Sequence, residues 1–160
     1  MTSQDDALNP PAPAYLTVLR MRWFRTAALL VIIAATMDIL LVRASAGPVG
    51  LFSAVVAVLG FLAVWRTPPR QFALLGHSID EDSLRVVRGY LFRVDTIVPL
   101  VRIQHIDVGQ GPLERFCGVA HLVVHTAGTH NSVVVLPGLL PEAAYLMRDA
   151  IRRKIRTDFV

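Results

Sequence analysis

The sequence has little of what reactive chemistry needs. Cys117 is the only cysteine and Lys154 the only lysine among 160 residues. A single cysteine excludes an internal disulfide and fits a reducing compartment. There is no Gly-x-Ser-x-Gly element, and no glycine-rich phosphate loop opens a helix. We therefore predict that the protein is not an enzyme, has no cofactor and has no small-molecule substrate.

Charged residues are also scarce, at 18% of the chain, and the formal net charge of +4 is too small to indicate nucleic-acid binding. Charged residues are fewest between Thr26 and Trp65, where apolar residues dominate. Residues 67–160 have an ordinary soluble composition and the length of one domain. These features predict a membrane segment followed by a single soluble domain.

Two apolar runs, residues 26–42 and 48–65, are each about 26 Å long as helices, close to the thickness of a bilayer core. Nine Leu, Ile or Val residues in the first run favour insertion by roughly 4 kcal/mol, against a cost of at most about 3 kcal/mol for Asp38. The sequence therefore predicts a hairpin of two transmembrane helices. A signal peptide cleaved after Ala44-Ser45-Ala46 is disfavoured, because the run is long and a second one follows.

Basic and aromatic residues flank the two runs on one side and predict the membrane interface: Arg20, Arg22, Trp23, Arg25, Trp65, Arg66 and Arg70. The connecting loop, residues 43–47, has one Arg, and Gly47-Pro48 supplies its turn. The positive-inside rule then predicts a multi-pass protein of the cytoplasmic (inner) membrane with both termini in the cytoplasm. Residues 1–13 are predicted to be a disordered tail, and residues 14–25 an interfacial lead-in.

The second helix carries small residues three or four positions apart: Gly50, Ser53, Ala57 and Gly60. Such a ridge packs against the first helix or forms a partner interface, and we favour the first interpretation. Asp38 is either a functional carboxylate or a residue that reaches headgroup water near the outer interface. A transporter or enzyme that uses Asp38 is the weakest of three functional hypotheses.

From residue 67 onward, apolar residues recur at about every second position, as they do in β-strands. Thr67-Pro68-Pro69 is predicted to be a stiff linker, and strands are predicted over residues 71–79, 83–88, 91–100, 102–108, 119–126 and 132–136. Turns are predicted at Asp80-Glu81-Asp82, Gly89 and Ala127-Gly128-Thr129. A single helical turn is expected over residues 112–117, closed by Gly118 with positive φ. After Pro141 the pattern is helical, with a predicted stripe of Ala143, Met147, Ala150, Ile151 and Ile155.

Three runs carry a family resemblance. They are Val98-Pro99-Leu100-Val101-Arg102-Ile103-Gln104-His105-Ile106-Asp107-Val108 and Gln110-Gly111-Pro112-Leu113-Glu114-Arg115-Phe116-Cys117-Gly118, followed by Leu122-Val123-Val124-His125-Thr126-Ala127-Gly128. With two helices ahead of them, they resemble the bacterial membrane-flanked PH-like domain of the YdbS type (bacterial pleckstrin homology domain family). The resemblance spans roughly residues 15–156.

The resemblance implies an α+β membrane protein: a two-helix transmembrane hairpin, then a PH-like bent antiparallel β-sheet or barrel with a C-terminal helix. The expected divisions are residues 1–25 for the tail and lead-in, 26–66 for the hairpin and 67–157 for the cytoplasmic PH-like domain. The resemblance implies no catalysis. It also suggests a partner, namely a larger membrane protein with repeated PH-like domains, besides the lipid bilayer itself or self-association.

The family motif supplies the candidate recognition residues Gln104, His105, Gln110, Gly111, Pro112, Arg115 and Gly118. They form either a recognition surface or a set of side chains that satisfy backbone groups at a corner, and we favour the second interpretation. His121 and His125 are too far apart on a strand, about 13 Å, to share one metal ion, and we predict no metal site.

The sequence therefore predicts a non-enzymatic, membrane-anchored scaffold subunit of a membrane protein complex, with a role in envelope stress or export. The alternative is a sensor that binds lipid headgroups or a peptide. Many lipid-binding PH domains use basic residues between their first two strands, whereas Asp80-Glu81-Asp82 would repel a phosphorylated headgroup there.

Overall fold

The computed structural model describes residues 8–43, 50–80, 82–127 and 132–157. Within them the chain forms two compact units. One is helical and runs from Leu19 to Arg70, and the other combines the described residues before Leu19 with those from Gln71 onward. The predicted turn at Gly47-Pro48, residue Glu81 and the turn residues Gly128-Thr129 lie outside the described ranges.

Two long helices supply the helical unit: α1 spans Tyr15–Arg43 and α2 spans Leu51–Ala73. Both are long and apolar enough to cross a bilayer, and only 11% of the most apolar window of each is buried. Large apolar side chains such as Leu29, Ile32 and Phe61 are more than half exposed. A core helix of a soluble protein would bury these side chains, so their exposure is what a lipid environment requires.

The small-residue ridge of α2 faces α1. A Cβ atom built on Gly60 would lie 3.2 Å from Cβ of Ala27, so the absence of a side chain permits close approach of the two helices. At the other end of the ridge, the backbone N–H of Ser53 donates to Asp38. Packing within the hairpin was the favoured interpretation of the ridge, and these two contacts support it.

The two prolines after the second apolar run do not end the helix. Residues Pro68 and Pro69 lie inside α2, which continues to Ala73. The predicted linker is therefore wrong, and so is the start of the predicted strand at Gln71. Proline fixes φ near −65°, which is compatible with a helix, but it removes an N–H donor and its ring crowds the carbonyl four residues earlier, so α2 continues through this pair at an energetic cost.

The soluble domain contains two antiparallel sheets. The first sheet has the order β1-β2-β3 and the second β4-β5-β6. Their strands are β1 Gly76–Ile79, β2 Ser83–Gly89, β3 Arg93–Pro99, β4 Ile103–Gly109, β5 Ala120–Thr126 and β6 Val133–Leu139. A 3₁₀ turn, Leu100–Arg102, joins the sheets, the short helix α3 spans Pro112–Phe116, and α4 spans Pro141–Thr157. This is the predicted α+β architecture of strands followed by a C-terminal helix.

Alternate residues of the strands point into one core between the sheets and α4. On β5, for example, Ala120, Leu122 and Val124 are fully buried, whereas the residues between them are half-buried. Ala144 and Ile151 of α4 complete the core, with Met147 packed against it. The predicted stripe is displaced at its start, because Ala144 rather than Ala143 is buried.

Residues 8–13 are not a free tail, contrary to the prediction. The backbone N–H of Asn9 donates to the carbonyl of His77 (2.7 Å), and the N–H of His77 donates to the carbonyl of Asn9 (3.1 Å). The N–H of Ala12 donates to the carbonyl of Gly138 (2.7 Å). Gly138 has φ +76°, and a Cβ there would meet Pro11 at 2.8 Å. The segment before α1 is thus an ordered part of the soluble domain.

His77 generates a pH prediction. Burial lowers the pKa of its imidazole, because the charged form loses hydration. The unfolded chain then binds the proton more readily, so the free energy of unfolding decreases as the pH falls from about 6.5 toward the lowered folded pKa. We expect His77→Gln to flatten this part of the stability curve, measured by thermal unfolding of the full-length chain in detergent between neutral and mildly acidic pH.

The matched control is His105→Gln, which replaces a histidine whose side chain is 61% exposed. Identical pH slopes for the wild type and His77→Gln would contradict the assignment of the acid sensitivity to His77.

Candidate functional site

The structure separates the predicted recognition residues into two places. Gln110, Gly111, Pro112, Arg115 and Gly118 lie at the corner between β4 and β5, around α3. Gln104 and His105 lie near the start of β4, at the opposite end of that strand. The motif therefore does not form a single recognition surface, and each place is described in turn.

At the β4–β5 corner, polar side chains bind the backbone. The amide of Gln110 donates to the carbonyl of Val119 (3.0 Å), and the N–H of Gly111 donates to a carboxylate oxygen of Glu114 (2.7 Å). The same oxygen lies 2.6 Å from Nδ1 of His121. Gln110 and Glu114 thus hold the corner together, as the favoured structural interpretation of the motif requires.

The short helix of this corner forms as predicted. Pro112 begins α3, where its missing N–H costs nothing, and Gly118 follows the helix with φ +67°. Arg115 is exposed on α3. The role of Glu114 and His121 was not predicted, because the two residues lie on different elements, α3 and β5, and no single helical or strand period relates them.

A groove lies between β4 and the C-terminal half of α4. Its volume is about 520 Å³, and it is lined by Ile103, Gln104, His105, Ile106, Asp149, Arg152, Arg153 and Ile155. Buried Ile103 and Ile106 supply an apolar floor. Exposed Arg152 and Asp149 supply charge at the side. The sequence motif predicted Gln104 and His105 here but not the α4 residues, since only the packing of α4 brings them close.

The strand beside this groove is an edge strand. In the sheet order β4-β5-β6, β4 pairs with β5 on one side, and no other strand within residues 8–43, 50–80, 82–127 and 132–157 pairs with it. The pairing shifts register between Ile103 and His105, so Gln104 sits in a bulge. Edge strands offer backbone donors and acceptors to an added strand, and bulges are common next to binding sites. The groove thus combines an apolar floor, a charged side and a strand edge.

A polar cluster that was not predicted covers the outer face of β4 and β5. His105 Nε2 lies 2.9 Å from Asp107 Oδ1, and His125 Nε2 lies 3.4 Å from Asp107 Oδ2. All three side chains are more than a third exposed. The alternation His105-x-Asp107 on a predicted strand was the available signal. Among the described residues, no three His, Cys, Asp or Glu side chains are grouped to hold a metal ion.

The predicted interface residues lie on the helical unit. Arg20, Arg22, Arg25, Trp65, Arg66 and Arg70 are exposed, and Trp23 is half-buried. Arg20 of α1 lines a cleft of about 440 Å³ together with Phe61, Val64 and Trp65 of α2. The basic start of α1 and the aromatic part of α2 therefore share one end of the hairpin, the arrangement that an aromatic belt requires.

Asp38 contacts the start of α2. Its carboxylate accepts the backbone N–H of Ser53 at 2.9 Å, and the residue is 7% exposed. The first N–H groups of a helix lack partners within the helix, and an acceptor near them is favourable. Asp38 of α1 thus caps its neighbour α2, which gives this carboxylate a structural role.

The corner generates a stability prediction. Removing the Glu114 carboxylate leaves the Gly111 N–H and the His121 ring without their partner, which costs about 1–3 kcal/mol for buried polar groups. We expect Glu114→Ala to lose stability in this range, measured by urea unfolding of the full-length chain in detergent.

Arg115→Ala changes the exposed neighbour of Glu114 and is the matched control, with an expected change within about 0.5 kcal/mol. Equal stabilities of the two variants would refute the bracing role of Glu114.

The Asp38 contact generates a second prediction. Asn can still accept a hydrogen bond from the Ser53 N–H, whereas Leu cannot. We expect Asp38→Leu to unfold the hairpin more readily in a detergent titration, with Asp38→Asn close to the wild type. Equal destabilisation by Asp38→Asn and Asp38→Leu would show that the charge matters rather than the hydrogen bond to Ser53.

Comparison with known proteins agrees with this architecture. The family described as "Bacterial PH domain" matches residues 18–155, which include both long helices as well as the soluble domain. The chain is 31% identical over 107 residues to the UPF0699 transmembrane protein YdbS of Bacillus subtilis (strain 168). That alignment covers 67% of this chain and 65% of the relative. No solved structure matches the chain.

The family match takes in most of the chain, and the relative is named as a transmembrane protein. The two exposed apolar helices are consistent with a transmembrane relative, and the two sheets with a C-terminal helix are consistent with a PH-like domain. The chain belongs to the bacterial PH domain family, as a membrane-anchored, PH-like protein similar to YdbS.

Proposed function

We propose that this protein is a non-enzymatic scaffold subunit of a membrane protein complex, held in the cytoplasmic membrane by both helices with its termini in the cytoplasm. The flanking arginines at one end of the hairpin support this orientation. A role in envelope stress or export is part of the proposal. The groove between β4 and α4 is the observation that carries the binding role.

The groove suits an extended segment of a partner protein. An incoming strand pairs with the edge of β4, as in β-strand addition, while one apolar side chain rests on Ile103 and Ile106. Arg152 at the side of the groove favours an acidic residue in the bound segment. A larger membrane protein with repeated PH-like domains is the partner we propose, and a second copy of this chain would present the same type of edge.

The alternative is a sensor that binds lipid headgroups or a peptide through the PH-like domain, and recognition of phosphorylated headgroups at the β1–β2 turn has less support. Asp80 and Asp82 are exposed there, so negative charge meets any approaching phosphate. Lys154 of α4 reaches this turn, where its ammonium donates to the carbonyl of Asp80 at 2.8 Å.

Purification in mild detergent from the native membrane tests the proposal. We expect the chain to co-purify with a membrane protein, with a mass by light scattering above the 17.6 kDa of one chain. Arg152→Glu reverses the charge in the groove and should reduce the retained partner about tenfold, as loss of one interfacial charge pair does.

Arg115→Glu makes the same change at the β4–β5 corner and should retain the partner. A loss with Arg115→Glu and not with Arg152→Glu would move the site to the corner. A wild-type chain that is strictly monomeric and alone would contradict the scaffold role.

A further inference from the structure

The turn between β2 and β3 presents apolar side chains to solvent. Tyr90, Leu91 and Phe92 are 37%, 78% and 83% exposed, the last two among the most exposed apolar residues of the soluble domain. Arg88 precedes this turn and Arg93 follows it. We call residues 88–93 the β2–β3 tip. This turn combines exposed apolar side chains with one arginine on each side.

The tip is held in its shape by the sheet. Gly89 pairs with Arg93, and a Cβ atom on Gly89 would lie 2.2 Å from the carbonyl oxygen of Phe92. The turn therefore leaves no room for a side chain at Gly89, and Leu91 and Phe92 follow it at the exposed end of the hairpin. The core of the domain is complete without them. Their exposure is a fixed property of the turn.

Strand register places the tip at the end of the sheet where the chain arrives from α2. Gly76, the first residue of β1, pairs with Val87, and Gly89 begins the turn two residues later. Two residues of strand span about 7 Å. Leu74 and Leu75 alone separate the last residue of α2 from β1. The tip and the entry of the chain thus share one end of the β1-β2-β3 sheet.

The other end of the same sheet is acidic. Ser83, at the start of β2, follows Asp82 and pairs with Pro99. The seven residues of β2 place Asp80 and Asp82 about 20 Å from the tip. The sheet therefore carries arginines and apolar side chains at the end connected to the apolar helices, and carboxylates at the far end. An anionic surface attracts the two arginines of the first end, whereas the carboxylates of the second end lie beside Lys154 and Arg102 and give that end no comparable excess of positive charge.

We propose that the β2–β3 tip inserts into the surface of the anionic bilayer that holds the helices. Leu91 and Phe92 enter the interface between headgroups and acyl chains, where aromatic and leucine side chains are favoured. Arg88 and Arg93 lie at headgroup level and face lipid phosphates. This contact orients the domain and presents its far end to the cytoplasm. This proposal depends on the membrane anchor and is independent of the proposed scaffold role.

Lipid quenching in nanodiscs tests the contact with the full-length chain. Cys117→Ser removes the native thiol, and Leu91→Cys carries an environment-sensitive NBD label. The discs contain equal parts of phosphatidylcholine and phosphatidylglycerol, with or without a headgroup-proximal doxyl lipid. We expect blue-shifted emission and quenching at least about twofold stronger than for a solvent-exposed label, as interfacial burial requires.

Val101→Cys is the matched control, since Val101 is 62% exposed in the 3₁₀ turn near the acidic end. Its label should be quenched no more than free dye. Equal quenching at the two positions would overturn the proposal. Blue-shifted emission at Leu91 without lipid quenching would overturn it as well, because the tip would then contact protein.

Two arginine variants test the electrostatic part. The pair Arg88→Gln with Arg93→Gln should lower the quenching of the Leu91 label in anionic discs and leave it unchanged in pure phosphatidylcholine. Arg102→Gln, an exposed arginine beside Val101, should have no effect in either disc. A loss of quenching that is equal in both discs would contradict a role for the arginines at lipid phosphates.

Discussion

The pairing of Asn9 with His77 is the interaction on which the rest of the soluble domain depends. It places the segment before α1 against the first residues of β1, directly after α2. Pro11, Gly76, His77, Leu136 and Pro137 line one small cavity, so this segment also bridges the two sheets. The segment before α1 and the start of β1 are thereby held side by side in the soluble domain.

Local periodicity predicted most of the fold, because the deciding signals are local. Strand alternation on β5 and the helical stripe through Met147 and Ile151 depend on neighbours a few residues away. Pro68 and Pro69 usually mark the end of a helix, and their helical φ can be seen only in the structure. The order of residues 8–13 depends on Asn9 meeting His77, a long-range contact that polar, proline-rich composition does not reveal.

The candidate site, like the fold, was predictable only where local sequence signals decide the structure. Gly111, Pro112 and Gly118 could be placed at a corner because their backbone properties are local. The contact between the Glu114 carboxylate and the His121 ring joins α3 to β5, and no sequence period predicts it. The groove also depends on where α4 packs, so Arg152 could be identified only from the fold. The motif therefore marks two structural positions, of which one supports the corner and the other borders the groove.

Because Asn9 precedes both apolar helices and His77 follows them, the domain has a defined order of assembly. The ribosome delivers Asn9 first, then the whole hairpin, and only then β1. The soluble domain is completed only after α1 and α2 have been synthesised, and closing this long loop is easier once the hairpin has brought its ends together. Membrane insertion thus becomes a step in the folding of the β-sheet domain, and a chain that fails to insert also lacks the hairpin that brings the ends of this loop together.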